Sequence, residues 1–137
     1  MRIRYLLDTN VCVRFLNGRS PAVRDRLLAT STEDMAVCSV VKAELFYGAM
    51  RSRNPPRTLE RQQNFLSRFV SLPFGDESAV LLGRIRAQLA NAGTPIGPYD
   101  LQIASIALAN DLTLITHNVR EFQRVEGLLL EDWEVEK

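Results

Sequence analysis

Three acidic residues stand where the chain could use them for chemistry. Asp8 closes the apolar run of YLLDTN, Glu44 lies within SVVKAELFYGAM, and Asp100 follows PIGPY. An ionised carboxylate beside apolar sequence loses hydration unless a cation or a hydrogen-bond donor meets it. The three acids are 36 and then 56 residues apart, so no local chelating loop can hold them and convergence must come from the fold. Brought together, they repel one another and take up protons unless a hard cation neutralises them. Carboxylate and water oxygens are the ordinary ligands of Mg2+ and Mn2+. Such a set supports attack of water on a phosphodiester, the metal activating water and stabilising the leaving oxygen. The single histidine, His117, has no GxSxG serine to serve, and neither Cys12 nor Cys38 has a recognisable nucleophile signature.

Each acid also has a plainer reading. Asp8 precedes a helical pattern and can cap it, Asp100 can complement the positive end of its helix, and Glu44 can be a solvated charge. Only the combination points to a reaction centre. Asn10 reads as an amide orienting Asp8 or as a helix cap.

The elements that must position these residues alternate in type. Ile3, Tyr5, Leu6 and Leu7 read as a buried strand, and Val11 to Leu16 as a short helix stopped by Asn17 and Gly18. SPAVRDRLLA opens another helix with Ser20 as cap and Pro21 at its first position. MAVCSV is a second strand, and Ser39 is expected to cap a helix running to about Met50. NPPR breaks the chain, and Leu59, Phe65, Leu66 and Phe69 predict a helix continuing to about Val70. VSLPF is a strand, Glu77 to about Asn91 is a helix ended by Gly93, and TPIGPYD is a loop. Pro98 starts a nearly all-apolar, hence buried, helix, followed by the strands LTLIT and GLLLEDW. Strands alternating with helices through short turns predict an α/β sandwich around a mainly parallel sheet. In such sheets, ligands bind beyond the carboxyl ends of the strands, which is where Asp8 falls.

The length of 137 residues fits one domain, spanning 1–137, and 46% hydrophobic with 24% charged residues is ordinary globular composition. No apolar stretch approaches the roughly 18 residues of a membrane span, and the charged start lacks a cleavage signal, so a cytoplasmic protein is expected. Cys12 and Cys38 are too few for a zinc knuckle and read as buried hydrophobes. A net charge of +1 exerts no global pull on nucleic acid, but fifteen of the seventeen basic residues are Arg. Arg51, Arg53, Arg57 and Arg61 form a local basic patch suited to phosphate or carboxylate.

Four segments carry a family resemblance. LLDTNV, CSVVKAELFYGA, PIGPYDLQIA and LITHNVREFQRVEGLLLEDW, in that order between Tyr5 and Trp133, strongly resemble the VapC-type toxins of the PIN-domain ribonuclease family. The resemblance implies a three-layer α/β/α sandwich and an endoribonuclease dependent on Mg2+ or Mn2+. It assigns Asp8, Glu44 and Asp100 as catalytic and metal-binding acids. It further implies a homodimer, inhibition by a cognate VapB-type antitoxin that often sends an Arg into the acidic site, and contact with operator DNA only through that antitoxin. PIGPYD and REFxRVxGLxxEDW look most like the enteric VapC group, implying cleavage in the anticodon loop of initiator tRNA.

The chain departs from the family at one place. Many PIN domains carry a fourth acid after the strand that here reads LITHN, where this chain has Asn118. An amide can hold a metal-bound water, while Glu121, three residues on, can supply the missing charge. Thr116 is a candidate hydrogen-bonding residue of the site or simply a strand Thr. His117 reads as a packing or RNA-facing residue, since nothing nearby forms a nitrogen-rich metal site.

Rival readings lack key residues. A phosphoacceptor receiver would want an acidic pair after the first strand and a Lys after the last, but the only lysines are 42 and 137. A haloacid-dehalogenase-like phosphatase would want an acid where Asn10 stands. A catalytically idle antitoxin-binding subunit would have no need of Asp8, Glu44 and Asp100 together.

Overall fold

The apolar run before Asp8 forms the centre of a sheet. In the computed structural model, which describes residues 2–135, β1 (Tyr5–Leu7) lies between β2 (Met35–Cys38) and β4 (Thr113–Ile115). β3 (Val70–Leu72) lies outside β2, and β5 (Leu130–Glu131) outside β4. All pairings are parallel, with Tyr5 opposite both Met35 and Thr113.

Parallel neighbours require long crossovers, and helices supply them. In chain order these are α1 (Thr9–Asn17), α2 (Pro21–Ala29), α3 (Ser39–Met50), α4 (Pro55–Leu66), α5 (Asp76–Asn91), α6 (Pro98–Ala109) and α7 (Val119–Phe122). The chain leaves β1 toward β2 and β3, then returns to the other side of β1 for β4 and β5. Right-handed crossovers running to opposite edges place helices on opposite faces, giving the expected three layers. That return makes the gap beyond β1 and β4 a topological switch point, where open α/β sheets bind ligands.

Burial follows the apolar pattern. All four residues of β2 are buried, and α6 buries Leu101, Ile103, Ala104, Ser105, Ile106 and Ala107, as its nearly continuous apolar sequence predicts. Gly18 ends α1 with φ 68°, a left-handed conformation that suits a residue without Cβ. No described helix is long and apolar enough to cross a membrane.

Local readings need correction in three places. The helix expected from Leu59 to Val70 begins at Pro55, because Asn54 Oδ1 caps Arg57 N at 3.2 Å and the two prolines occupy the first turn, where no N–H is needed. It stops at Leu66, and Val70 belongs to β3. The second strand ends at Cys38, so Ser39 is the first residue of α3 and makes no side-chain cap. The four-residue helix α7, absent from the sequence reading, follows β4 and carries Glu121.

Candidate active site

Asp8 is the first residue beyond β1, and its N–H donates to Ile115 O of β4 at 3.0 Å, so pairing with β4 continues to the end of the strand. Its side chain is nearly sealed, at 4% exposure. Oδ1 accepts the Thr9 N–H at 2.8 Å, making Asp8 the N-cap of α1. Oδ2 accepts the Thr116 hydroxyl at 2.7 Å. The capping reading and the site reading of Asp8 therefore both hold, one oxygen serving each.

Glu44 sits in the second turn of α3, where Thr9 Oγ1 donates to its Oε1 at 2.8 Å. Asp100 lies in the first turn of α6. Glu121, in the first turn of α7, receives the Gly97 N–H on Oε1 at 3.1 Å and the Asn118 Nδ2 on Oε2 at 3.0 Å. It also lies close enough to the Asp100 carboxyl to raise it. Asn118 N–H in turn donates to Thr116 Oγ1 at 3.0 Å, joining the two halves of the site.

The electrostatics show that these acids share one field. Burial, followed by the charges of Asp8, Glu121 and Glu44, pushes the Asp100 carboxyl up to about 7. Burial also raises Asp8, against the opposing effect of its Thr116 and Thr9 hydrogen bonds, with Glu44 and Glu121 raising it further. Glu121 is held below the usual carboxylate range, chiefly by Asn118 and also by Gly97. Glu121 is thus the acid held charged, and Asp100 the one that keeps its proton toward neutral pH.

Asp8, Glu44, Asp100 and Glu121 lie within one another's electrostatic reach, and Thr116 and Asn118 enter as hydrogen-bonding supports. Asn10 does not: it is exposed, and among the described residues its side chain makes no hydrogen bond to Asp8, whose oxygens are taken by Thr9 and Thr116. Thr9 is a site residue that the sequence did not single out. Its hydroxyl, adjacent to an acid at a strand end, was the available signal.

The remaining candidates are accounted for nearby. His117 is exposed, with Nδ1 3.0 Å from Asp132 Oδ2 and 3.6 Å from Glu134 Oε2. Arg14 approaches the other Glu134 oxygen at 3.6 Å. Burial raises the Cys38 thiol to about 11 and the Cys12 thiol further still, so neither is poised as a nucleophile.

Comparison with known proteins places this geometry among relatives. The sequence profile of the PIN domain matches residues 5–128. The chain is 39% identical over 131 residues to the tRNA(fMet)-specific endonuclease VapC of Salmonella typhimurium (strain LT2), spanning 96% of this chain and 98% of that protein. It is 40% identical over 131 residues to the protein of the same name from Shigella flexneri, again spanning 96% and 98%. The crystal structure of DNA-bound VapBC from Salmonella typhimurium contains a chain that superposes with a TM-score of 0.90 at 38% identity, over 96% of this chain and 98% of that one.

Proposed function

The chain belongs to the PIN-domain family, in its VapC branch, and from that premise we propose that it is the toxin of a toxin–antitoxin pair, an endoribonuclease that hydrolyses RNA phosphodiester bonds using Mg2+ or Mn2+. The observation that carries this reading is the convergence of Asp8, Glu44, Asp100 and Glu121 at the switch point of the sheet. Among the described residues, no Lys or Arg forms an ion pair with any of the four. A donor set made only of carboxylates, one raised to about 7 by burial and then by its neighbours' charges, fits a hard divalent ion bound through oxygen. When bound, that ion would neutralise the cluster, lower the pKa of water and stabilise charge on the phosphodiester oxygens.

The protein residues have separate tasks. Asp8, Glu44 and Asp100 would hold the ion and serve as the catalytic acids. Thr116 and Thr9 fix the carboxylate orientations of Asp8 and Glu44, because each hydroxyl donates to one defined oxygen. Asn118 and the Gly97 N–H keep Glu121 charged and turned toward Asp100. Overall, water adds to phosphorus and one chain P–O bond breaks.

The names of the Salmonella and Shigella relatives point to initiator tRNA, and we assign the anticodon loop as the cleavage site. A VapB-type antitoxin partners the toxin, operator DNA is reached only through that antitoxin, and the toxin is a homodimer. Mapping RNA 5′ ends after brief induction tests the substrate: one dominant cut in initiator tRNA is expected, and the absence of any new end overturns the assignment. Growth arrest that is relieved by Asp8→Ala distinguishes a nuclease from an idle binding subunit. Light scattering of the purified chain, alone and with its antitoxin, tests the assembly.

A further inference from the structure

Two tyrosines flank the acids without contributing to the core. Tyr47 is 64% exposed and Tyr99 57% exposed, and with Ala43 and Glu44 they line one hollow of about 330 Å3. Their positions follow from the helices that carry the acids: Tyr47 lies three residues after Glu44 on the same face of α3, and Tyr99 immediately precedes Asp100 in the first turn of α6. Arg51 donates to the Tyr47 hydroxyl at 3.1 Å, and its guanidinium carbon lies 5.7 Å from the ring centroid. Exposed Arg53 and Arg57 continue the basic run beyond it.

We infer that Tyr47 and Tyr99 form a stacking platform for an unpaired RNA base next to the scissile phosphate, with Arg51 fixing the Tyr47 ring and attracting the backbone. This deepens the ribonuclease reading and rests on it. The hollow lies within the range of about 300–1,000 Å3 that holds small-molecule-sized groups. Because Glu44 is part of its wall, whatever enters lies beside the carboxylates. Aromatic faces with an adjacent Arg are the combination by which proteins hold single-stranded nucleic acid, since every base offers a π-face and the backbone needs a cation. An acidic hollow needs that local cation to admit a polyanion at all.

The test uses a stem-loop RNA carrying 2-aminopurine singly at each unpaired loop position. Bound to Asp8→Asn protein, which holds the RNA uncut, one position is expected to lose fluorescence by stacking. Tyr47→Ala or Tyr99→Ala in that background restores the emission, while Tyr47→Phe and Tyr99→Phe keep it quenched. In the otherwise native chain, each Ala substitution raises KM about ten-fold with kcat little changed, and the Phe variants match the parent. Ala variants with an unchanged KM overturn the inference while the parent's cleavage leaves the ribonuclease reading intact. Ala variants that lose self-association or antitoxin binding, with KM unchanged, likewise overturn it and assign the hollow to a protein partner. A parent chain that cuts no RNA but quenches the probe through the tyrosines overturns the ribonuclease reading and sustains base stacking.

Discussion

Thr9 Oγ1 donates to Glu44 Oε1 at 2.8 Å, so the first residue of α1 holds an acid carried by α3. The preceding residue, Asp8, is tied through Thr116 to the end of β4. Two consecutive residues thus register a strand end and a helix against each other around the switch point. Asp8 and Glu44 each take a hydroxyl donor, which can orient a carboxylate without neutralising it.

Removing one of these hydroxyls should reduce turnover while leaving the fold in place. Thr9→Val keeps the β-branched shape and deletes the donor to Glu44. A hydrogen bond to a charged group contributes about 1.5–3 kcal/mol, so a loss of about ten-fold or more in kcat is expected. Thr9→Ser should recover most of it. Single-turnover cleavage of RNA provides the measurement, and a Val variant as fast as the parent would remove Thr9 from the site.

Asp8 and Asn118 should differ in severity. Asp8→Asn preserves a capping side chain and the approximate shape but removes a buried charge from the cluster, so cleavage is expected to fall to background. Asn118→Ala releases only one of the contacts on Glu121 and should lower activity about ten-fold. Near-parental rates for both variants in a purified RNA cleavage assay would sink the catalytic assignment.

The raised Asp100 carboxyl predicts a pH dependence whose sign is fixed. Its folded value of about 7 lies above the ordinary value of 3.8, so the folded chain binds more protons than the unfolded chain between those values. The stability from this group is present below pH 3.8 and is lost as pH rises through about 7. With a chelator present, Tm should therefore fall between pH 5 and 8 by on the order of a few degrees, less so in Asp100→Asn. Divalent ions should oppose that fall, and their apparent affinity should rise with pH through 7, because binding displaces the proton. Calorimetric titration with Mn2+ at pH 6 and 8 reads this directly, and equal affinities would contradict it.

Trp133 anchors the strand beside the site from the opposite end of the sequence. It is 1% exposed, meets Tyr5 edge-on at 5.5 Å, and donates from Nε1 to Glu131 Oε1 at 3.0 Å. Trp133→Ala should cost about 3–5 kcal/mol in unfolding free energy, from lost burial and the cavity left behind. Urea unfolding measures it, and a cost below about 1 kcal/mol would show that the site collapses around the missing ring.

Much of the fold was legible because local signals agree with tertiary demands. The apolar run to Leu7 and the nearly all-apolar α6 match their burial, and Ser20 caps α2 just ahead of Pro21. Where reading failed, two local rules competed. Pro55 and Pro56 looked like breakers, yet a proline in a first turn loses no intrahelical bond, so Asn54 could begin the helix there. Asn10 looked like a partner for Asp8 because of its proximity in sequence, but in the structure it is exposed on α1 and a threonine 108 residues away takes that oxygen.

The sequence by itself determined the chemical inventory: carboxylates at a strand end and near two helix starts, without a competing nucleophile, and an alternation of elements that demands a parallel sheet. Tertiary structure alone decided which groups meet. It brought Glu121 under two donors, the Gly97 N–H from one loop and the Asn118 amide from another. It made Asp100, among these acids, the one raised to about 7. The physical reason is that carboxylate charge and orientation depend on burial, neighbouring fields and donors lying up to 108 residues apart, and only packing sets those distances.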